Sequence, residues 1–201
     1  MLFRSNVHGL LAEGDDLWIG TYGNGIFRMS LSSGALKPFS AADENLNSCY
    51  CLFRDSKRQL WATSMSGACM LDEQKQIFKK MKSFNSLTID IKEDKKGNIW
   101  FATQGNGLWC YRRNKTWKQY LNDAKDTTSI CSNQVNCVQE DAKGRLFVAT
   151  NMGLCEFQPS SDSFRRIAID APSQGFASII INQDGSTLSS ISPTTSIRGR
   201  S

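Results

Sequence analysis

The groups in this 201-residue chain that could do chemistry are seven cysteines, one histidine and two short segments led by aspartate. Zinc sites and redox couples need cysteines in CxxC or mixed Cys/His spacing, and none is so arranged. His8 is the only imidazole, so Ser/His or Cys/His nucleophilic catalysis would rest on it alone; it reads instead as a strand residue. Two facing carboxylates would be the signature of glycoside hydrolysis. Asp94-Lys95-Lys96-Gly97 and Asp141-Ala142-Lys143-Gly144 supply the acids, but an Asp at the first position and a Gly at the fourth is turn chemistry. Both acids are therefore read as turn caps. The residues name no catalytic group, metal or cofactor.

The elements that would position such residues come next. Apolar residues make up 40% of the chain and aromatics 10%, enough for a sizeable core. The formal charge of +5 is spread over scattered cations such as Lys79-Lys80, Arg112-Arg113 and Arg165-Arg166. No basic stripe forms, which argues against nucleic acid as a partner. No apolar run reaches the roughly 18 residues that span a bilayer, so this segment is expected to make no membrane contact. Residues Met1 to Ser5 lack the apolar centre of a signal peptide and read as a divergent leader.

Four segments repeat one pattern: Leu17-Trp18-Ile19-Gly20-Thr21, Leu60-Trp61-Ala62-Thr63-Ser64, Ile99-Trp100-Phe101-Ala102-Thr103 and Leu146-Phe147-Val148-Ala149-Thr150. The aromatic positions are 43, 39 and 47 residues apart, the period of a propeller blade. An apolar strand precedes each (Val7 to Leu11, Cys49 to Phe53, Thr88 to Ile91, Val135 to Val138). A Gly-containing turn and a third strand follow (Ile26 to Met29, Ala68 to Leu71, Leu108 to Tyr111, Leu154 to Phe157). A fourth closes each unit (Leu36 to Phe39, Ile77 to Met81, Trp117 to Tyr120, Phe164 to Ile167). The aromatic strand is apolar on both faces, so both must be covered, as stacking of radial sheets achieves.

The expected fold is all-β: a partial β-propeller of about four four-stranded antiparallel blades plus the start of a fifth. Blades are expected over 6–39, 47–81, 85–120 and 133–169, with a fifth begun at 176–185 and a polar, disordered tail at 186–201. Trp18, Trp61, Trp100 and Phe147 are the expected blade anchors. Small residues at Gly20, Ala102 and Ala149 leave room for a neighbouring blade. Cys51 and Cys137 share one strand position, and Cys69 and Cys155 another, as small buried hydrophobes do. A disulfide stays open.

In a propeller the turns between strands two and three, and the loops between blades, share one face. That face would carry Tyr22, Asn24, Met65, Gln104, Asn106 and Asn151, with Asn47, Asn85 and Asn133 in the loops. Amides pair with sugar hydroxyls and an aromatic ring covers the apolar side of a pyranose. The competing reading is that Asn beside Gly simply shapes turns.

The runs Glu93-Asp94-Lys95-Lys96-Gly97-Asn98-Ile99-Trp100-Phe101-Ala102-Thr103 and Gly105-Asn106-Gly107-Leu108, with Asn6, Asn47, Asn85 and Asn133 ahead of the first strands, resemble the two-component regulator propeller repeat. The resemblance covers roughly residues 6–185 and departs from the pattern at Phe147, at Thr63 and at the shortened turn Glu13-Gly14-Asp15. It implies a non-catalytic periplasmic sensor of a hybrid two-component system. An oligosaccharide would be the ligand, and the remaining blades and a histidine kinase would lie in the parent protein. A homodimer stays open. The alternatives are a protein-interaction scaffold and a sialidase-like glycosidase.

Overall fold

The fold is described by a computed structural model, over residues 6–41, 47–65, 67–168, 176–181 and 187–191. Blade 1 comprises β1 (Val7–Glu13), β2 (Asp16–Thr21), β3 (Ile26–Ser30) and β4 (Leu36–Ala41). Blade 2 comprises β5 (Cys49–Arg54), β6 (Leu60–Ser64), β7 (Gly67–Asp72) and β8 (Ile77–Ser83). Blade 3 runs through β9 (Thr88–Glu93), β10 (Ile99–Thr103), β11 (Leu108–Tyr111) and β12 (Trp117–Tyr120). Blade 4 runs through β13 (Val135–Glu140), β14 (Leu146–Thr150), β15 (Gly153–Gln158) and β16 (Ser163–Ile167). Within every blade the strands pair antiparallel in chain order. The outer strands β4 and β8 also pair parallel, Ser40 with Ile77 and Ala41 with Phe78, a link between blades 1 and 2 that the sequence did not announce.

A fifth unit begins with β17 (Phe176–Ile181), and β18 (Thr187–Ile191) pairs antiparallel with it. Residues 187–191 were expected within a disordered tail. Apolar Leu188 and Ile191 among Ser and Thr suffice for a strand once β17 offers a free edge. The expected leader at 1–5, the turn at 182–185 and the end of the tail at 192–201 lie outside the described residues.

The first strands β1, β5, β9, β13 and β17 are neighbours in that order, which places them around a common axis with the blades radiating outward. The core is correspondingly layered between blades. Trp18 packs with Leu60, Ala62 and Phe78 of blade 2, Trp61 with Ile99 and Phe101 of blade 3, and Trp100 with Leu146 and Val148 of blade 4. Phe147 packs with Cys137, Ala149 and Leu154. The expected anchors are all buried, and β6, β10 and β14 are buried on both faces.

The small residue two places after the blade 1 anchor is required by this stacking. A Cβ at Gly20 would stand 2.7 Å from the Cys49 sulfur of the next blade. Thr63 departs from the pattern without penalty, because its hydroxyl accepts the Cys51 amide at 3.1 Å and reaches the Thr88 carbonyl of blade 3 at 3.3 Å. Blade 1 differs from the others at its first strand. Leu10 is 61% exposed, whereas Leu52, Ile91 and Val138 at the same position of later blades are 8%, 7% and 0% exposed.

Candidate functional site

The turns from strand two to strand three end on a repeated device. The hydroxyls of Thr21, Thr103 and Thr150 donate to the carbonyls of Gly25, Gly107 and Gly153 at 2.8, 2.6 and 2.9 Å. Gly107 has φ of 72°, and a Cβ there would come within 2.2 Å of the Tyr120 carbonyl oxygen. Interblade loops brace these turns through backbone: Gly25 N–H donates to Asn47 O at 2.9 Å, and the Gly105 and Gly107 amides donate to Asn133 O at 3.0 and 2.9 Å.

Much of the expected amide chemistry is therefore spent inside the fold. Asn106 donates through Nδ2 to the Phe84 carbonyl and accepts Gln119 Nε2 at 2.7 Å. Asn133 Oδ1 accepts the Asn122 amide at 2.7 Å, and Asn85 sits in the left-handed region at φ 51°, accepting the Ser83 hydroxyl. Asn24 and Met65 are exposed on their turns. Asn151 donates to Gln134 Oε1 at 2.5 Å, while its own Oδ1 is buried with no hydrogen-bond partner.

Tyr22 and Gln104 do converge, and on residues the sequence reading passed over. Each first strand carries a register shift near its start that leaves one residue unopposed: His8, Tyr50, Ile89 and Asn136. A bulge re-aims the side chain it carries. Tyr50 lies 5.1 Å from His8 of the preceding blade, centroid to centroid, and Tyr22 lies 6.4 Å from Tyr50 and 6.1 Å from His8. At the equivalent place two blades on, Gln104 Nε2 donates to Asn136 Oδ1 at 3.1 Å and to Val135 O at 3.0 Å. The loop face thus carries a cluster of aromatic rings from blades 1 and 2 and, at the equivalent place two blades on, an amide pair from blades 3 and 4. The signal available in the sequence was their common place, the second residue of each first strand.

The opposite face is built from the turns between strands one and two. Asp55, Asp94 and Asp141 each accept two turn amides through Oδ1, at 2.8 to 3.0 Å. Oδ2 of Asp55 and Asp94 accepts the indole N–H of Trp61 and Trp100 at 2.9 and 2.8 Å. In blade 4, where Phe147 replaces Trp, Arg145 Nε fills that place on Asp141 at 2.7 Å. These carboxylates are committed to turns and anchors. Turns also link neighbouring blades: Arg54 clasps Glu13, Ser56 donates to Glu93, and the Lys95 amide donates to Glu140.

Burial pushes the Cys51 and Cys110 thiols up to about 12, so they stay protonated. Cys155, expected as a small hydrophobe, is buried and disulfide-bonded to Cys131, with 6.6 Å between Cα atoms. Among the described residues no group of three or more His, Cys, Asp or Glu is placed to hold a metal.

Comparison with known proteins agrees with this geometry. Residues 82–105 and 129–152, the first two strands and flanking turns of blades 3 and 4, match the family described as two component regulator propeller. No curated protein matches the chain by sequence. An extracellular domain from B. thetaiotaomicron, described as part of a hybrid two component system, superposes with a TM-score of 0.74 at 21% identity over 94% of this chain. This chain spans 26% of that one. Virginiamycin B lyase from Staphylococcus aureus superposes with a TM-score of 0.73 at 16% identity, over 92% of this chain and 63% of its own. Layered anchors, capped turns and matching segments lead to one statement: residues 82–105 and 129–152 of this partial propeller match the two component regulator propeller family.

Proposed function

We propose that this chain is part of the ligand-sensing propeller of a hybrid two-component system, outside the cytoplasm, and that the axial mouth recognises an oligosaccharide. The observation that supports the reading is the ring cluster of His8, Tyr22 and Tyr50 at the start of the first strands, with the Gln104–Asn136 amide pair at the equivalent place two blades on. Rings cover the apolar face of a pyranose while amides pair with its hydroxyls. The repeat family and the extracellular setting of the structural neighbour support the sensory role. The Cys131–Cys155 disulfide fits an oxidising compartment such as the periplasm. Binding does no chemistry in this reading: the repeated aspartates cap turns, and a ligand favouring one propeller arrangement shifts the state of a kinase outside this chain.

Isothermal titration of the chain with a panel of neutral oligosaccharides tests the proposal. At least one binds, and Tyr22→Ala and Tyr50→Ala each weaken it about tenfold. Turnover of a saccharide, or binding untouched by both variants, contradicts it.

A further inference from the structure

The capped-turn face carries two clefts between blades, and the repeat makes them equivalent position by position. The cleft between blades 3 and 4, about 280 Å³, is lined by Lys96, Trp100, Cys110, Tyr120, Phe157 and Asp162. The cleft between blades 2 and 3, about 360 Å³, has Lys57, Trp61, Met70, Met81, Tyr111 and Lys115 at the corresponding places. Asp162 and Lys115 both sit two residues before the fourth strand's first aromatic, and both are left-handed, with φ of 51° and 67°.

Their charges are opposite, and the difference decides what each cleft lacks. Asp162 projects back onto blade 3, where its carboxylate accepts Arg112, Lys118 and the Tyr120 hydroxyl, all at 2.5 Å. The 3/4 cleft therefore carries its own anion. In the 2/3 cleft Lys115 stands in that position, joined on the rim by Arg113 and Lys57. None of the three pairs with a carboxylate among the described residues. The two acids lining this cleft accept neutral donors, Asp55 from its turn and Trp61, and Glu93 from Ser56, and the three rim cations exceed them by one charge. Lys79, the counterpart of Lys118, is neutralised within its own blade by Asp72 at 2.5 Å. Beneath the rim, Met70, Met81 and Tyr111 give a half-buried apolar floor.

We infer that the cleft between blades 2 and 3 binds a small organic anion, whose carboxylate or sulfate pairs with Lys115, Arg113 and Lys57 at the rim and whose apolar ring rests on Met70, Met81 and Tyr111. The volume lies within the range of small-molecule sites. An excess of cations over acids above an apolar floor favours an amphipathic anion over a neutral sugar or a bare ion. This site lies on the face opposite the axial mouth and stands independently of the reading given there.

The probes are phenyl β-glucuronide, its neutral twin phenyl β-glucoside, and sodium sulfate, titrated calorimetrically into the whole chain. The glucuronide is expected to bind at least about tenfold tighter than the glucoside or sulfate, and to weaken as salt rises from about 0.05 to about 0.5 M. Lys115→Asp rebuilds the internal anion of the neighbouring cleft on a backbone that Asp tolerates, and should abolish binding; Lys115→Asn should weaken it about threefold. The double variant Lys57→Gln/Arg113→Gln gives a second route to the same loss if Lys115→Asp does not fold. Tyr22→Ala should leave glucuronide binding unchanged, separating this cleft from the axial mouth. Equal affinity for glucuronide and glucoside, no binding of the glucuronide, or full binding by folded Lys115→Asp each overturns the inference.

Discussion

Arg145 offers the sharpest test of how the blades are anchored. In blades 2 and 3 the indole N–H satisfies the second oxygen of the capping aspartate, and in blade 4 the Arg145 guanidinium does so because Phe147 has no N–H to give. Asp141 has a side chain only 1% exposed, so Arg145→Ala leaves a buried carboxylate oxygen without its donor. Such an orphan costs about 1–3 kcal/mol. Arg145 is itself 43% exposed, so water partly replaces it and the lower half of that range applies. The guanidinium also lies 5.3 Å from the Phe147 ring centroid, a contact whose loss adds about 0.5–1 kcal/mol. The sum is about 2 kcal/mol, or a fall in Tm of about 4–8 °C for a chain of this size.

The decisive measurement is a double-mutant cycle by urea and thermal denaturation. In a Phe147→Trp background an indole takes over Oδ2, and Arg145→Ala should then cost less than about 0.5 kcal/mol. If removing Arg145 costs the same with Phe or Trp at position 147, the idea that the arginine substitutes for a missing indole is refuted.

Two further outcomes follow from the same geometry. Burial raises the Asp162 carboxyl, but hydrogen bonds from Lys118, Tyr120 and Arg112 outweigh it and hold the group at about 2, below its ordinary 3.8. A carboxyl depressed on folding stabilises above the unfolded value and ceases to as pH falls through the folded one. The stability gap between the wild type and Asp162→Asn should therefore be full above about pH 4 and close towards pH 2; a gap constant across that window counts against the clamp. Gly107→Ala should destabilise by about 2–4 kcal/mol in urea unfolding, since its Cβ would meet the Tyr120 carbonyl at 2.2 Å in a left-handed turn; an unchanged midpoint would show that the turn yields freely.

The blade pattern was legible because each unit repeats the same local demands. An anchor aromatic, a small residue two places on and an Asp-led turn recur in phase, and the strands extend at most a few residues beyond their expected bounds, as β1 does from Leu11 to Glu13. The axial mouth was legible only in part. Tyr22 and Gln104 stand where turn spacing placed them, but Asn106 and Asn133 hold loops together, because an amide beside a glycine turn finds backbone partners before it meets solvent. His8, Tyr50 and Asn136 escaped notice because alternation along a strand hides a residue that a bulge turns aside.

From the chain alone came whatever depends on neighbours a few residues apart: strands, turns, capping acids and the period that stacks them. Tertiary structure decided what depends on partners 24 to 50 residues away, such as Cys131 meeting Cys155 across a loop and Asp162 reaching back fifty positions to Arg112. Local sequence specifies backbone conformation, whereas a charge or a thiol is paired only when folding brings a distant group within a few ångströms, and that distance is written in the packing of one sheet upon the next.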